Sequence, residues 1–152
     1  MAEPSLESRA IALLARREHS RQELMRKLGT EENRDQLCAL LDDLEARGWL
    51  SNTRFAEQWV KSRQSRYGSL RLRQEMQQKG LPPDTIQEAL NSASDNEMMR
   101  AREIWRKKFG APASTPQERA KHYRFLQGRG FSLDIIRKVL SEHSSLDDSD
   151  LF

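Results

Sequence analysis

The residues that could do covalent or metal chemistry in this sequence are few and far apart. The histidines are His19, His122 and His143. None stands at a helical i, i+4 spacing with a carboxylate in the pattern of a metal site. Cys38 would serve as a nucleophile only beside a base, and no base accompanies it. It lies in an apolar helical pattern, where a small buried residue needs no further role. A lone cysteine also excludes a disulfide within the chain and a cysteine-based zinc site. Glu31-Glu32 and Asp42-Asp43 are paired carboxylates, but the first pair lies in a polar segment and the second on the wet side of a leucine stripe. Both read as solvated faces rather than an acid–base pair. There is no Gly-x-Ser-x-Gly and no P-loop, and the glycines stand singly at expected helix ends. The expectation is a protein that is not an enzyme and needs no cofactor and no metal.

The remaining chemistry is recognition of anions. Net charge is only +3 over 152 residues, but its sign alternates along the chain. Residues 54–80 carry seven Lys/Arg against two Asp/Glu, and residues 100–138 carry eleven against three. Residues 31–53, 81–99 and 139–152 each sum to −4. Basic blocks of this kind suit a polyanion or an acidic protein surface. The plain alternative is a set of solvated helix faces. The candidate binding groups are Lys61, Arg63, Arg66, Arg71, Arg73 and Lys79 in the first block. In the second they are Arg106, Lys107, Lys108, Arg119, Lys121, Arg124 and Arg129. Tyr67 and Tyr123 sit among these cations, where a ring either stacks on a partner or packs into the core.

These groups must be held by helices. The stretch KGLPPDTIQEAL at 79–90 returns as RGFSLDIIRKVL at 129–140. Gly80 and Gly130 suit the left-handed position that ends a helix. Lys79 and Arg129 before them suit the negative end of the helix dipole. Leu81 and Phe131 follow, where an apolar residue packs back on the last turn. Pro83 fits a first helical position, Ser132 can cap, and Asp84 and Asp134 sit in first turns. Ile86, Ala89 and Leu90 then repeat the spacing of Ile136, Val139 and Leu140, one buried helical face in each copy.

The same grammar occurs upstream. Leu28-Gly29 ends a helix, Asn33 and Gln36 are placed to cap the next, and Leu37, Leu40, Leu41 and Leu44 form its stripe. The helices before each glycine also correspond. Ser20 and Glu23 spell a capping box, a second helix begins at Ser69 with Leu72 and Met76 inward, and Thr115-Pro116 with Glu118 opens a third. Each unit has one more helix in front, carrying Ile11 and Leu14, then Phe55, Ala56, Trp59 and Val60, then Ile104, Trp105 and Phe109. Trp59 and Trp105 occupy equivalent places.

The sequence therefore predicts an all-α fold of three tandem three-helix repeats, forming an elongated, possibly curved, solenoid-like body. The repeats span 5–50, 51–94 and 95–143, with an acidic tail at 144–152. Units of this size have little core of their own and share faces with their neighbours. Mean hydropathy of −0.86 agrees with thin elements that each keep one wet face. No apolar run approaches the ~18 residues of a membrane span, and the N-terminus lacks the plan of a signal peptide. A cytoplasmic monomer without membrane contact is expected. A capped third helix also suggests helix-turn-helix modules. Here, however, TIQEAL is nearly neutral and DQLCALLDDLEARG is acidic, so sequence-specific reading of a DNA groove is disfavoured.

Four stretches, taken together, resemble one family. SRQELMRKL, ARGWLSNTRFAEQWVKSR, YGSLRLRQEMQQKGL and RFLQGRGFSLDIIRKVL are similar to the RecX family of bacterial regulators of the RecA recombinase. The resemblance covers about residues 6 to 142. This chain has Ser51-Asn52 where the family usually has two acidic residues, a turn that still offers two caps. The resemblance implies binding to RecA and to RecA–DNA filaments, a block on filament extension and net disassembly. RecA's ATPase, strand exchange and coprotease activities would fall as a result. It carries over no catalytic residues. The rival expectation from charge alone is a general nucleic-acid-binding helical repeat protein without sequence preference. A weak nonspecific DNA contact would also be compatible with RecA regulation.

Overall fold

The apolar stripes and caps place helices where the periodicity requires them. The computed structural model describes residues 3–142, and among these it contains helices and turns but no strand. In chain order the helices are α1 Leu6–Arg16, α2 Arg21–Leu28, α3 Arg34–Ala46, α4 Asn52–Arg63 and α5 Ser69–Gln78. Then come α6 Pro83–Ser94, α7 Glu97–Lys108, α8 Pro116–Gly128 and α9 Leu133–Glu142. The expected acidic tail and His143 lie outside the described residues.

The caps are mostly as the sequence spells them. Ser20 accepts from the Glu23 N–H, while the Glu23 carboxylate takes the Ser20 N–H, closing the box. Thr115 accepts from the Glu118 N–H at 3.1 Å, but the Glu118 carboxylate reaches one residue further back, to the Ser114 N–H and hydroxyl. The expected Asn33–Gln36 pair does not form. Asn33 instead closes the preceding loop: its Oδ1 accepts from the Thr30 N–H at 2.7 Å and its amide donates to the Leu28 carbonyl. Gly29 ends α2 in an extended conformation, φ −79°, whereas Gly80 and Gly130 are left-handed at +76° and +94°. The first glycine thus differs in conformation from its two counterparts.

The chain divides into two compact units. One holds the described residues through Trp59 together with Met76–Ile86, and the other holds Val60–Glu75 together with the described residues from Gln87 on. In the first unit Leu24, Leu37, Leu41 and Leu44 are fully buried, with Ile11 and Leu14 packed on them. Cys38 beside this core is half-buried rather than enclosed. In the second unit Trp105, Leu126, Phe131, Ile136 and Val139 form the core, with Phe109, Tyr123 and Phe125 against it. Trp105 is 3% exposed, while Trp59 is only half-buried, so the two tryptophans differ in burial.

One joint occurs once in each unit. In the second, the first amides of α5 are received by the third repeat. The N–H of Gly68 donates to Arg129 O at 2.8 Å, that of Ser69 to the Glu97 carboxylate at 2.8 Å, and that of Leu70 to Gly130 O at 3.0 Å. These are the orphan donors of a helix N-terminus, and Glu97 adds a negative charge at the positive end of the dipole. A Cβ on Gly130 would lie 2.7 Å from Arg71 N, so that turn must be glycine for close approach as well as for φ. In the first unit the N-terminus of α2 meets the Gly80 turn through a side chain instead of its amides. Ser20 Oγ donates to Lys79 O at 2.9 Å, and the Arg21 N–H donates to Asn52 Oδ1 at 3.0 Å. Asn52 and Glu97 each open the first helix of the next repeat.

Candidate partner-binding surface

The second unit gathers four candidate cations on one ring. Arg71 lies 4.0 Å from the Tyr67 ring centroid, Arg63 4.7 Å, Arg129 5.5 Å and Arg66 5.6 Å. Helix α5, with its first turn clamped on the Gly130 turn, brings Arg71 beside Arg129. The end of α4 supplies Arg63, and the turn after it supplies Arg66 and Tyr67. A guanidinium over an aromatic face is stabilised by the ring quadrupole, by about 0.5–2 kcal/mol according to solvation. The carboxylate that pairs with this cluster is Glu75. It accepts from two nitrogens of Arg63, Nε at 2.8 Å and Nη2 at 2.6 Å, and lies 3.5 Å from Arg71. That bond holds the Arg63 guanidinium above its ordinary pKa. Arg129 also lies 5.2 Å from the Phe125 ring, which Lys108 approaches to 5.6 Å. Cations and rings thus alternate from Arg71 to Lys108.

The other candidates are placed differently. Lys61, Arg66, Lys121 and Arg124 are exposed on the surface. Arg106 and Lys107 are exposed too, but share Glu103 at 2.7 and 4.0 Å. Arg73 is half-buried and donates to Gln87 Oε1. Lys79, in the first unit, stands 5.3 Å from the Trp59 ring and 3.9 Å from Glu23. Arg119 is a correction. It is 4% exposed, so it belongs to the interior of its unit and presents no guanidinium to a partner. The helical face that buries Leu126 and His122 carries Arg119 inward with them. Tyr67 and Tyr123 are both half-buried, between the core and stacking readings.

Sequence reasoning missed the apolar half of this surface. Leu70, 55% exposed, and Leu133, 42% exposed, flank a cavity of about 360 Å³ lined also by Arg71, Gln74, Tyr123, Gln127 and Phe131. The available signal was that Leu70 falls off the stripe that buries Leu72 and Met76, whereas Leu133 keeps the spacing of Ile136 and Leu140 and gave none. His19 and His122 are both buried and held by their neighbours. His122 Nδ1 accepts from Trp105 Nε1 at 3.0 Å, and its ring stacks on Phe109 at 3.7 Å. His19 lies between the Arg17 carbonyl and the Lys27 ammonium, 3.0 Å from each. Among the described residues no group of His, Cys, Asp or Glu is arranged to hold a metal ion.

Comparison with known proteins assigns the family. Residues 51–90 match the model of the second three-helix domain of RecX, and residues 95–140 that of the third. The regulatory protein RecX of Chromobacterium violaceum is 49% identical over 138 residues, covering 90% of each chain. The chain belongs to the RecX family. The regulatory protein RecX of Ralstonia nicotianae is 46% identical over 148 residues, covering 96% of this chain and 93% of the relative. The crystal structure of RecX from Lactobacillus salivarius superposes with a TM-score of 0.78 at 18% identity, covering 90% of this chain and 93% of that one. A second RecX crystal structure gives 0.75 at 20% identity, covering 90% and 71%. The all-helical RecX fold read from the sequence is therefore the fold of this chain. At Ser51-Asn52 the two expected caps form: Ser51 accepts from the Arg54 N–H, and Asn52 accepts from the first N–H of α2.

Proposed function

We propose that this chain is a non-enzymatic modulator of the RecA recombinase. It binds RecA and RecA–DNA filaments, blocks filament extension and promotes disassembly, which lowers ATPase, strand exchange and coprotease activity. The observation that carries this reading is membership of a regulatory family along nearly the whole chain. Three tandem helical repeats favour a periodic partner, because weak contacts from each repeat add by avidity. The arginine cluster on Tyr67, with Lys108 and the exposed Lys121 and Arg124, is the surface we assign to contact with that partner. The repeats are taken as 5–50, 51–94 and 95–143.

The test is the RecA ATPase on single-stranded DNA, with this protein titrated in. Inhibition well below one copy per RecA is the expected result, since a growing end is a rare target. Inhibition appearing only when the protein is abundant enough to coat the DNA would replace this reading with general nucleic-acid binding, which the same arginines would also serve. No effect at any ratio would reject both.

A further inference from the structure

The Tyr67 cluster and the Leu70–Leu133 cavity share one residue, Arg71. A row of guanidiniums therefore runs directly into an apolar-rimmed pocket within one unit. Two exposed leucines, Leu70 and Leu133, line it together with Gly130, and Phe131 and Ile136, both buried, line it as well. Gln74 and Gln127, both exposed, add side-chain amides at the wall. A primary amide both donates and accepts, the pairing that a peptide main chain needs.

From this juxtaposition we infer that the second unit carries a docking site for an acidic segment of a partner protein, one with a Leu- or Phe-sized residue between its carboxylates. The apolar residue enters the cavity between Leu70 and Leu133. The carboxylates meet Arg71, Arg129 and the exposed Arg66, where a planar guanidinium takes a carboxylate in bidentate fashion. Charge complementarity selects the occupant, for four guanidiniums surround Tyr67 and one carboxylate, Glu75, pairs among them. Nucleic acid fits less well. Base stacking needs an open aromatic face, whereas guanidiniums stand over Tyr67 at 4.0 and 4.7 Å. A sugar-phosphate chain also has no aliphatic group for the pocket. The inference does not depend on the recombinase reading and is tested without RecA.

The experiment is fluorescence anisotropy with the full chain and a labelled peptide, Asp-Glu-Asp-Leu-Phe-Glu-Asp. Saturable binding is expected. Replacing Leu-Phe in the peptide by Ser-Ser should weaken it about tenfold or more, as should Leu70→Ser with Leu133→Ser or Arg66→Gln with Arg71→Gln in the protein. Leu133→Ser and Arg66→Gln alone change exposed positions, so they carry the test should a double variant lose helicity. Equal affinity for the Ser-Ser peptide would overturn the proposal by showing that charge alone acts. So would an oligothymidylate that binds more tightly and displaces the peptide, which would mark the surface as a nucleic-acid site. A chain with Asp147→Asn, Asp148→Asn and Asp150→Asn that binds the peptide about tenfold more tightly would also overturn it, naming the chain's own acidic segment as the occupant.

Discussion

At the scale of single residues, the buried histidines make stability depend on pH. Burial pushes both His122 and His19 below the ordinary value of 6.5. The unfolded chain then binds protons that the native state refuses. Their contribution is fully present above pH 6.5 and is lost as pH falls toward the lower folded values. Glu23 acts lower on the scale. Burial would raise its pKa, but the bonds from Arg17 and the Ser20 N–H outweigh this and hold it below 4.5, so its contribution goes only in more acid solution. The melting temperature should therefore decline between about pH 7 and pH 5. A His122→Gln chain should decline less steeply, since its side chain can still accept from Trp105 without taking a proton. Parallel melting curves for the two chains across that range would show that His122 is not the source.

At the scale of elements, Gly80 and Gly130 set the geometry. A β-branched residue there opposes the left-handed backbone, and at Gly130 it also collides with the backbone of Arg71. Gly130→Val should cost about 2–5 kcal/mol, with Gly80→Val also destabilising. Gly128 is the internal control. It is the last residue of α8 with open space around it, so Gly128→Ala should be neutral or gain up to about 1 kcal/mol. Similar denaturation midpoints for Gly130→Val and Gly128→Ala would refute the distinction. Much of this was legible beforehand. The helix stripes, the Ser20 box and the left-handed glycines are local signals, and local physics formed them. The bonds of Gly68 to Arg129 and of Leu70 to Gly130, the capping of Ser69 by Glu97 and the inward turn of Arg119 were not legible. Each depends on which distant segment arrives opposite, and spacing along one helix carries no record of that. The basic residues were legible as a class. Their sorting into a ring-centred cluster, surface pairs with Glu103 and an interior Arg119 required the packing.

At the scale of the whole molecule, charge must be divided between supporting the fold within a unit and meeting the partner. Lys79 and Arg71 lie eight positions apart in one basic block but face different tasks. Lys79→Glu would place a second carboxylate near Glu23, whose side chain is 8% exposed, and should lower the melting temperature. Arg71→Glu, on the half-exposed Tyr67 cluster, should instead weaken binding to RecA filaments about tenfold with helicity retained. Filament binding measured beside melting separates the two. Equal loss of filament affinity in both variants, with melting unchanged, would contradict the division.

The joint between α5 and the Gly130 turn also sets a timetable for the chain as it is made. The Ser20 hydroxyl must wait fifty-nine residues for the carbonyl of Lys79. The amides that open α5 wait comparably for the Arg129 and Gly130 carbonyls. At ~5–20 residues per second this is a delay of roughly three to twelve seconds on the ribosome. During that time α5 has its side chains in register but its leading amides still in water. The second repeat is thus completed by the third, and a chain halted near Ser94 would leave the opening turn of α5 without its acceptors.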